Sequence, residues 1–139
     1  MSHISKIELV IQSLEDLKEA CRQLGFEFME NQKTFKWYGS WAGDTAIPED
    51  IKIEYTGKCE HAIKVAGCEY EVGVVRRGNH HILLWDHYHV GGLVQKIGPN
   101  AGILKQAYTV ARVRKEARQK GYRIREKKMA QGVRLVLTV

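Results

Sequence analysis

The stretch His80-His81-Ile82-Leu83-Leu84-Trp85-Asp86-His87-Tyr88-His89 puts four imidazoles and one carboxylate within ten residues. Neutral imidazole is the commonest side-chain ligand for metals. Side chains two residues apart on a strand project to the same side. On such a strand His87 and His89 would share one face and could hold a divalent ion, with Asp86 turned to the other. Cys59 and His61 stand in the same relation. A zinc site needs four ligands, or three and a water, in tetrahedral array. Neither cluster has a recognised ligand spacing, so Cys59, His61, His87 and His89 make a metal set only if the fold gathers them. The plainer alternative is that they are ordinary strand and surface residues. Cys59 and His61 could also pair as nucleophile and base. No oxyanion donor or orienting group accompanies them, and no Gly-x-Ser-x-Gly, Walker or dinucleotide glycine motif is present. No catalytic residue is assigned and no cofactor is implied.

A second chemistry is electrostatic. Of 22 Lys and Arg and 16 Asp and Glu, 11 basic and 2 acidic residues lie from position 101 onward, a balance of +9. The first hundred residues hold 11 and 14, a balance of −3. Such asymmetry points to an anionic partner, nucleic acid or another polyanion. Lys105, Arg112, Lys115, Arg123 and Arg125 are the residues expected to carry it. The competing account is a solvated helix face with a charge-guarded strand. The segment Gly98-Pro99-Asn100-Ala101-Gly102 precedes a helix, where backbone amides can hold an anion. Turn chemistry explains those glycines equally well.

A third surface is aromatic. Trp37, Tyr38 and Trp41 stand beside Gly39 and Gly43. Large aromatics concentrate at protein interfaces and also fill cores. Trp41 is the expected exposed anchor. Trp37 is core if it continues a strand facing a helix. The leading expectation is therefore a non-catalytic binding or adaptor protein acting with a protein partner. A nucleic-acid-binding module is the alternative, then a metal-dependent enzyme. A homo-oligomer stays open.

These groups have to be positioned by regular elements. Residues 4–11 are β-branched and partly alternating, as in a strand. Ser13 with Asp16 resembles a capping box. Leu14, Leu17, Cys21 and Leu24 recur at helical spacing and Gly25 ends the helix. Residues 26–30 alternate again. Residues 39–50 read as a loop and 51–55 as a short strand. Residues 61–65, 70–76 and 80–85 read as strands joined at Gly67 and Gly78-Asn79, hence antiparallel. Residues 94–97 fit a short edge strand or a loop. A second helix is expected over 101–120, with Ile103, Ala107, Val110, Val113 and Ala117 on one side. A hairpin of residues 122–128 and 133–139 closes the chain. The expected fold is α+β, two helices on one face of a largely antiparallel sheet, ferredoxin-like in general architecture with extra central strands. The length suits a single domain, 1–139.

Three segments carry a family likeness. They are Met1-Ser2-His3-Ile4 with Leu14-Glu15-Asp16-Leu17-Lys18-Glu19-Ala20, then Tyr70-Glu71-Val72-Gly73-Val74-Val75-Arg76, then Lys96-Ile97-Gly98 through Leu104-Lys105-Gln106-Ala107-Tyr108 to Glu116-Ala117-Arg118-Gln119-Lys120-Gly121-Tyr122. Together they resemble the domain-of-unknown-function family of hypothetical chloroplast reading frame thirty-five. The likeness implies a cytoplasmic, stromal or phage-encoded protein, and no mechanism. The absence of an apolar run long enough to span a bilayer, the lack of a secretory pattern and three cysteines without framework spacing agree with an intracellular location.

Overall fold

The backbone is organised by where glycine and small polar residues let it turn. Residues 4–37, 57–129 and 132–138 are described by the computed structural model. Strand β1 (Ile4–Ile11) leads to helix α1 (Leu14–Leu24). Ser13 is the N-cap, its hydroxyl accepting the Asp16 N–H at 3.2 Å. Gly25, at φ 76°, takes the left-handed conformation that closes the helix. Strands β2 (Glu27–Met29), β3 (His61–Lys64), β4 (Val72–Arg77) and β5 (His80–Asp86) follow. All neighbours pair antiparallel in the order β1-β5-β4-β3-β2. Pairs such as His61 with Val74, and Val74 with Leu83, set the register.

Both faces of this sheet are covered. On one, Ile7, Ile11, Ile63, Val72, Val74, Leu83 and Trp85 pack against Leu17, Ala20 and Cys21 of α1 and against the following helices. On the other, Ile4, Ala62, Val75, Ile82 and Leu84 are covered by Phe35, Trp37 and Cys59. Phe35 comes so close to β4 that any Cβ at Gly73 would overlap its ring.

Residues 94–97 do not form a strand. Leu93–Ile97 is a one-turn helix, α2, bounded by Gly92 and Gly98, both at positive φ. Leu93 and Ile97, four residues apart, are both fully buried, so a helical turn satisfies them and an extended chain would not. A 3-10 turn, Pro99–Ala101, then leads to α3 (Gly102–Gln119). Of α3, Leu104 and Tyr108 join the core against the sheet, with Ala107 packed beside them, while Ile103 and Val110 of the expected apolar side lie on its other flank. Ile103 is 46% exposed. The helix has apolar residues on two flanks because something packs beyond it. Tyr108 also ties α3 to the β1–α1 junction, its hydroxyl accepting the N–H groups of Gln12 and Ser13 at 2.9 and 3.3 Å.

What packs beyond α3 is the closing hairpin, β6 (Arg123–Met129) and β7 (Gly132–Thr138). Its strands pair only with each other, as a separate two-stranded ribbon. The structure is thus α+β, with two long helices on one face of a five-stranded antiparallel sheet and the ribbon outside the helices. Among the described residues, no helix is long and apolar enough to cross a membrane.

Candidate functional site

The histidines and cysteines are not brought together. Cys59 lies in the core beneath the second face, its Sγ donating to the Gln32 carbonyl at 3.1 Å. Burial pushes its thiol up to about 12. His61 turns to the opposite face, its ring centroid 5.3 Å from that of Phe28 and 6.1 Å from that of His81. Its Nδ1 accepts the Asn31 N–H at 2.9 Å, which leaves the remaining ring proton on Nε2. His87 and His89 are exposed, beyond the end of β5, and each stacks on a different neighbour, Trp85 and Tyr88. The strand ends at Asp86, which is why the expected common side for His87 and His89 is not formed. Among the described residues, no three His, Cys, Asp or Glu side chains gather as a metal site.

The aromatic contact loses its first member. Trp37 is 5% exposed and packs on the second face, against Gly57. A Cβ at Gly57 would sit 2.6 Å from the Trp37 Nε1. Trp37 is therefore core and unavailable as a surface anchor. Tyr38 and Trp41, and the expected strand 51–55, lie outside the described residues.

The basic residues divide sharply. On α3, Arg112, Arg114 and Lys115 face carboxylates. Lys115 Nζ is 3.2 Å from Glu15, and Arg112 Nε is 3.8 Å from the buried Asp16, both carboxylates in the first turn of α1. Arg114 pairs with Glu126 of the ribbon, and Lys120 with Glu116. Arg112 and Lys115 thus bridge from α3 to carboxylates of α1. Lys105 lines an open cleft of about 560 Å³ with Lys6, Glu8, Trp85, His87 and Asn100, none of them on the ribbon. Asn100, which lines it, and the buried Ala101 after it both adopt left-handed backbone, an unusual conformation for residues other than glycine.

The ribbon is different. Antiparallel register places Arg123 opposite Thr138, Arg125 opposite Val136 and Lys127 opposite Arg134. Alternation puts all six side chains on one face, turned away from α3. The other face, Ile124, Glu126, Lys128, Val133, Leu135 and Leu137, meets α3 across a groove of about 500 Å³ lined partly by Ile103, Ala107 and Val110. The groove explains why α3 is apolar on two flanks. Five cations and one carboxylate lie on the ribbon, and that carboxylate, Glu126, is taken by Arg114. Among the described residues, no carboxylate lies within ion-pair reach of Arg123, Arg125, Lys127 or Arg134. These four form an exposed, uncompensated cationic face.

Sequence reasoning placed Arg123, Arg125 and Lys127 on the basic hairpin but did not include Arg134, on the other strand. The signal for it is the hairpin register. Pairing of Met129 with Gly132, which is at φ 104°, carries Lys127 directly across from Arg134. No family model, curated protein or solved structure matches this chain.

Proposed function

We propose that this protein is a non-catalytic binding protein whose ligand is a nucleic acid duplex, engaged through its phosphates by the outer face of the β6–β7 ribbon. One observation carries the proposal. Arg123, Arg125, Lys127 and Arg134 share a face and lack carboxylate partners, whereas the cations of α3 other than Lys105 and Arg118 sit beside carboxylates. The outer face carries no aromatic side chain, which disfavours a platform for stacking single-stranded bases. Contact through charge alone gives little sequence preference and strong salt dependence. The reading narrows the basic set: Arg123 and Arg125 stay in it, Arg112 and Lys115 leave it, and Lys105 belongs to a separate cleft. A protein partner docked through the aromatic connector takes second place, because Trp37 is buried.

The test is fluorescence anisotropy with a labelled duplex across a salt series. Four phosphate contacts give a slope of log K against log salt of roughly −3.6. The variant Arg123→Ala/Arg125→Ala/Lys127→Ala should flatten it to about −1. Absence of binding at about 100 μM protein in 50 mM salt, where non-specific binding is ordinarily measurable, would rule the reading out.

A further inference from the structure

The two strands of the ribbon have very different free edges. Strand β6 carries Arg123, Arg125, Glu126, Lys127 and Lys128, the dense charge that protects an edge from pairing. Strand β7 reads Gly132-Val133-Arg134-Leu135-Val136-Leu137-Thr138, with one charge in seven residues. Among the described residues it pairs only with β6, so its second edge meets no strand. Its side chains are also incompletely covered, Val136 being 40% and Leu137 45% exposed. A two-stranded sheet is marginal in water, and three or more strands are the usual minimum for a stable one.

The order of residues along β7 selects the occupant. Its inward stripe is Val133, Leu135 and Leu137, centred on Leu135, which is also the midpoint of the strand. An antiparallel two-fold through Leu135 aligns all seven residues with seven of a second copy. Leu135 then meets the partner's Leu135, and Val133 meets the partner's Leu137, keeping the apolar stripe continuous on the side of the helices. Arg134 meets the partner's Val136, so no like charges stand directly opposite. The same operation on β6 would centre on Glu126 and set Arg125 against Lys127. Charge therefore permits β7 to pair with itself and opposes self-pairing of β6.

We infer that the free edge of β7 is a self-association surface, on which a second copy of this chain adds its own β7 to form a four-stranded antiparallel sheet with Leu135 on the two-fold axis. The contact is isologous, the commonest arrangement of homodimers. It does not rest on the nucleic-acid reading and is tested with no nucleic acid present.

Sedimentation velocity of the full chain between about 1 and 100 μM should show a monomer–dimer equilibrium. Val136→Arg, at an exposed position, places two like-charge pairs opposite the two copies of Arg134 and should weaken association about tenfold. Adding Arg134→Glu to the same chain should restore it. The register is read by cysteine linking in a Cys68→Ser background. Leu135→Cys should form a symmetric disulfide on oxidation, since directly opposed strand residues lie within disulfide reach. Val133→Cys alone should not, because its two copies would lie roughly 13 Å apart along the strand. Mixing Val133→Cys with Leu137→Cys chains should restore linking. A monomer throughout the concentration range, or a dimer in which Leu135→Cys does not link, overturns the inference.

Discussion

The ring of Phe35 occupies the space in which Gly73 would carry a side chain. Gly73 lies in the middle of the sheet, paired with Ala62 and Leu84, so the backbone there cannot move away. Gly73→Ala should therefore destabilise the protein by about 1–3 kcal/mol, as overpacking does. Gly102→Ala is the contrast. Gly102 has an ordinary helical φ of −58° and open space beside it, and the change should stabilise by about 0.4–1 kcal/mol. Urea unfolding of the two variants should move the midpoint in opposite directions.

Trp37 gives a second test of core against surface. A large aromatic removed from a packed interior costs about 3–5 kcal/mol, whereas an exposed anchor removed from the free protein costs within about 0.5 kcal/mol. Trp37→Ala should fall in the first range by urea or thermal unfolding. A loss below about 1 kcal/mol would place the indole outside the core.

Acid should weaken the fold through two histidines. Burial lowers the imidazole pKa of His61, and that of His81 nearby, where the charge of His61 adds to the effect. Protonation of His61 at Nδ1 would also break the bond from the Asn31 N–H. In the unfolded chain both titrate near 6.5. As pH falls through that value the unfolded state binds protons that the folded state does not, so stability declines until the folded imidazoles titrate in turn. The unfolding midpoint should drop between about pH 7 and pH 5, and His61→Gln should flatten that drop. A midpoint equally steep in the variant would count against His61 as a source.

The three thiols should react at different rates. Burial pushes Cys21 and Cys59 up to about 12 and also raises Cys68, which is only partly covered. The thiolate is the reactive form. Iodoacetamide on the native protein, followed by peptide mass mapping, should label Cys68 first, and Cys21 and Cys59 only after denaturation.

Much of the frame was legible in the sequence because its signals are local. Ser13 and Gly25 bound α1, and Gly78 turns β4 into β5, each through the backbone conformation that its residue type favours. Period-two alternation marked β1 and β2, and the turn residues Gly67 and Gly78-Asn79 marked off β3–β5. The misreadings are all questions of what lies on the far side. The apolar side of α3 read from spacing, Ile103, Ala107, Val110, Val113 and Ala117, mixes two flanks, because a helix packed on both shows two apolar stripes and periodicity does not separate them. Arg112 and Lys115 looked like open charge until α1 brought Glu15 and Asp16 alongside. In the sequence alone Trp37, grouped with Tyr38 and Trp41 as a contact residue, stays open between core and surface. Asn31, at φ 64°, turns the chain back so that Phe35 and Trp37 lie under the sheet.

The ribbon's independence has a consequence for how this protein can change over time. Strands β6 and β7 share no ladder with the five-stranded sheet and touch the rest mainly along α3, through the Arg114–Glu126 clasp and the apolar groove. Substitutions at Arg123, Arg125, Lys127 or Arg134 disturb neither core, so they are nearly free of a folding penalty. Preference for one anionic surface over another can therefore be rewritten along a single outer face, while the residues that keep the chain folded stay as they are.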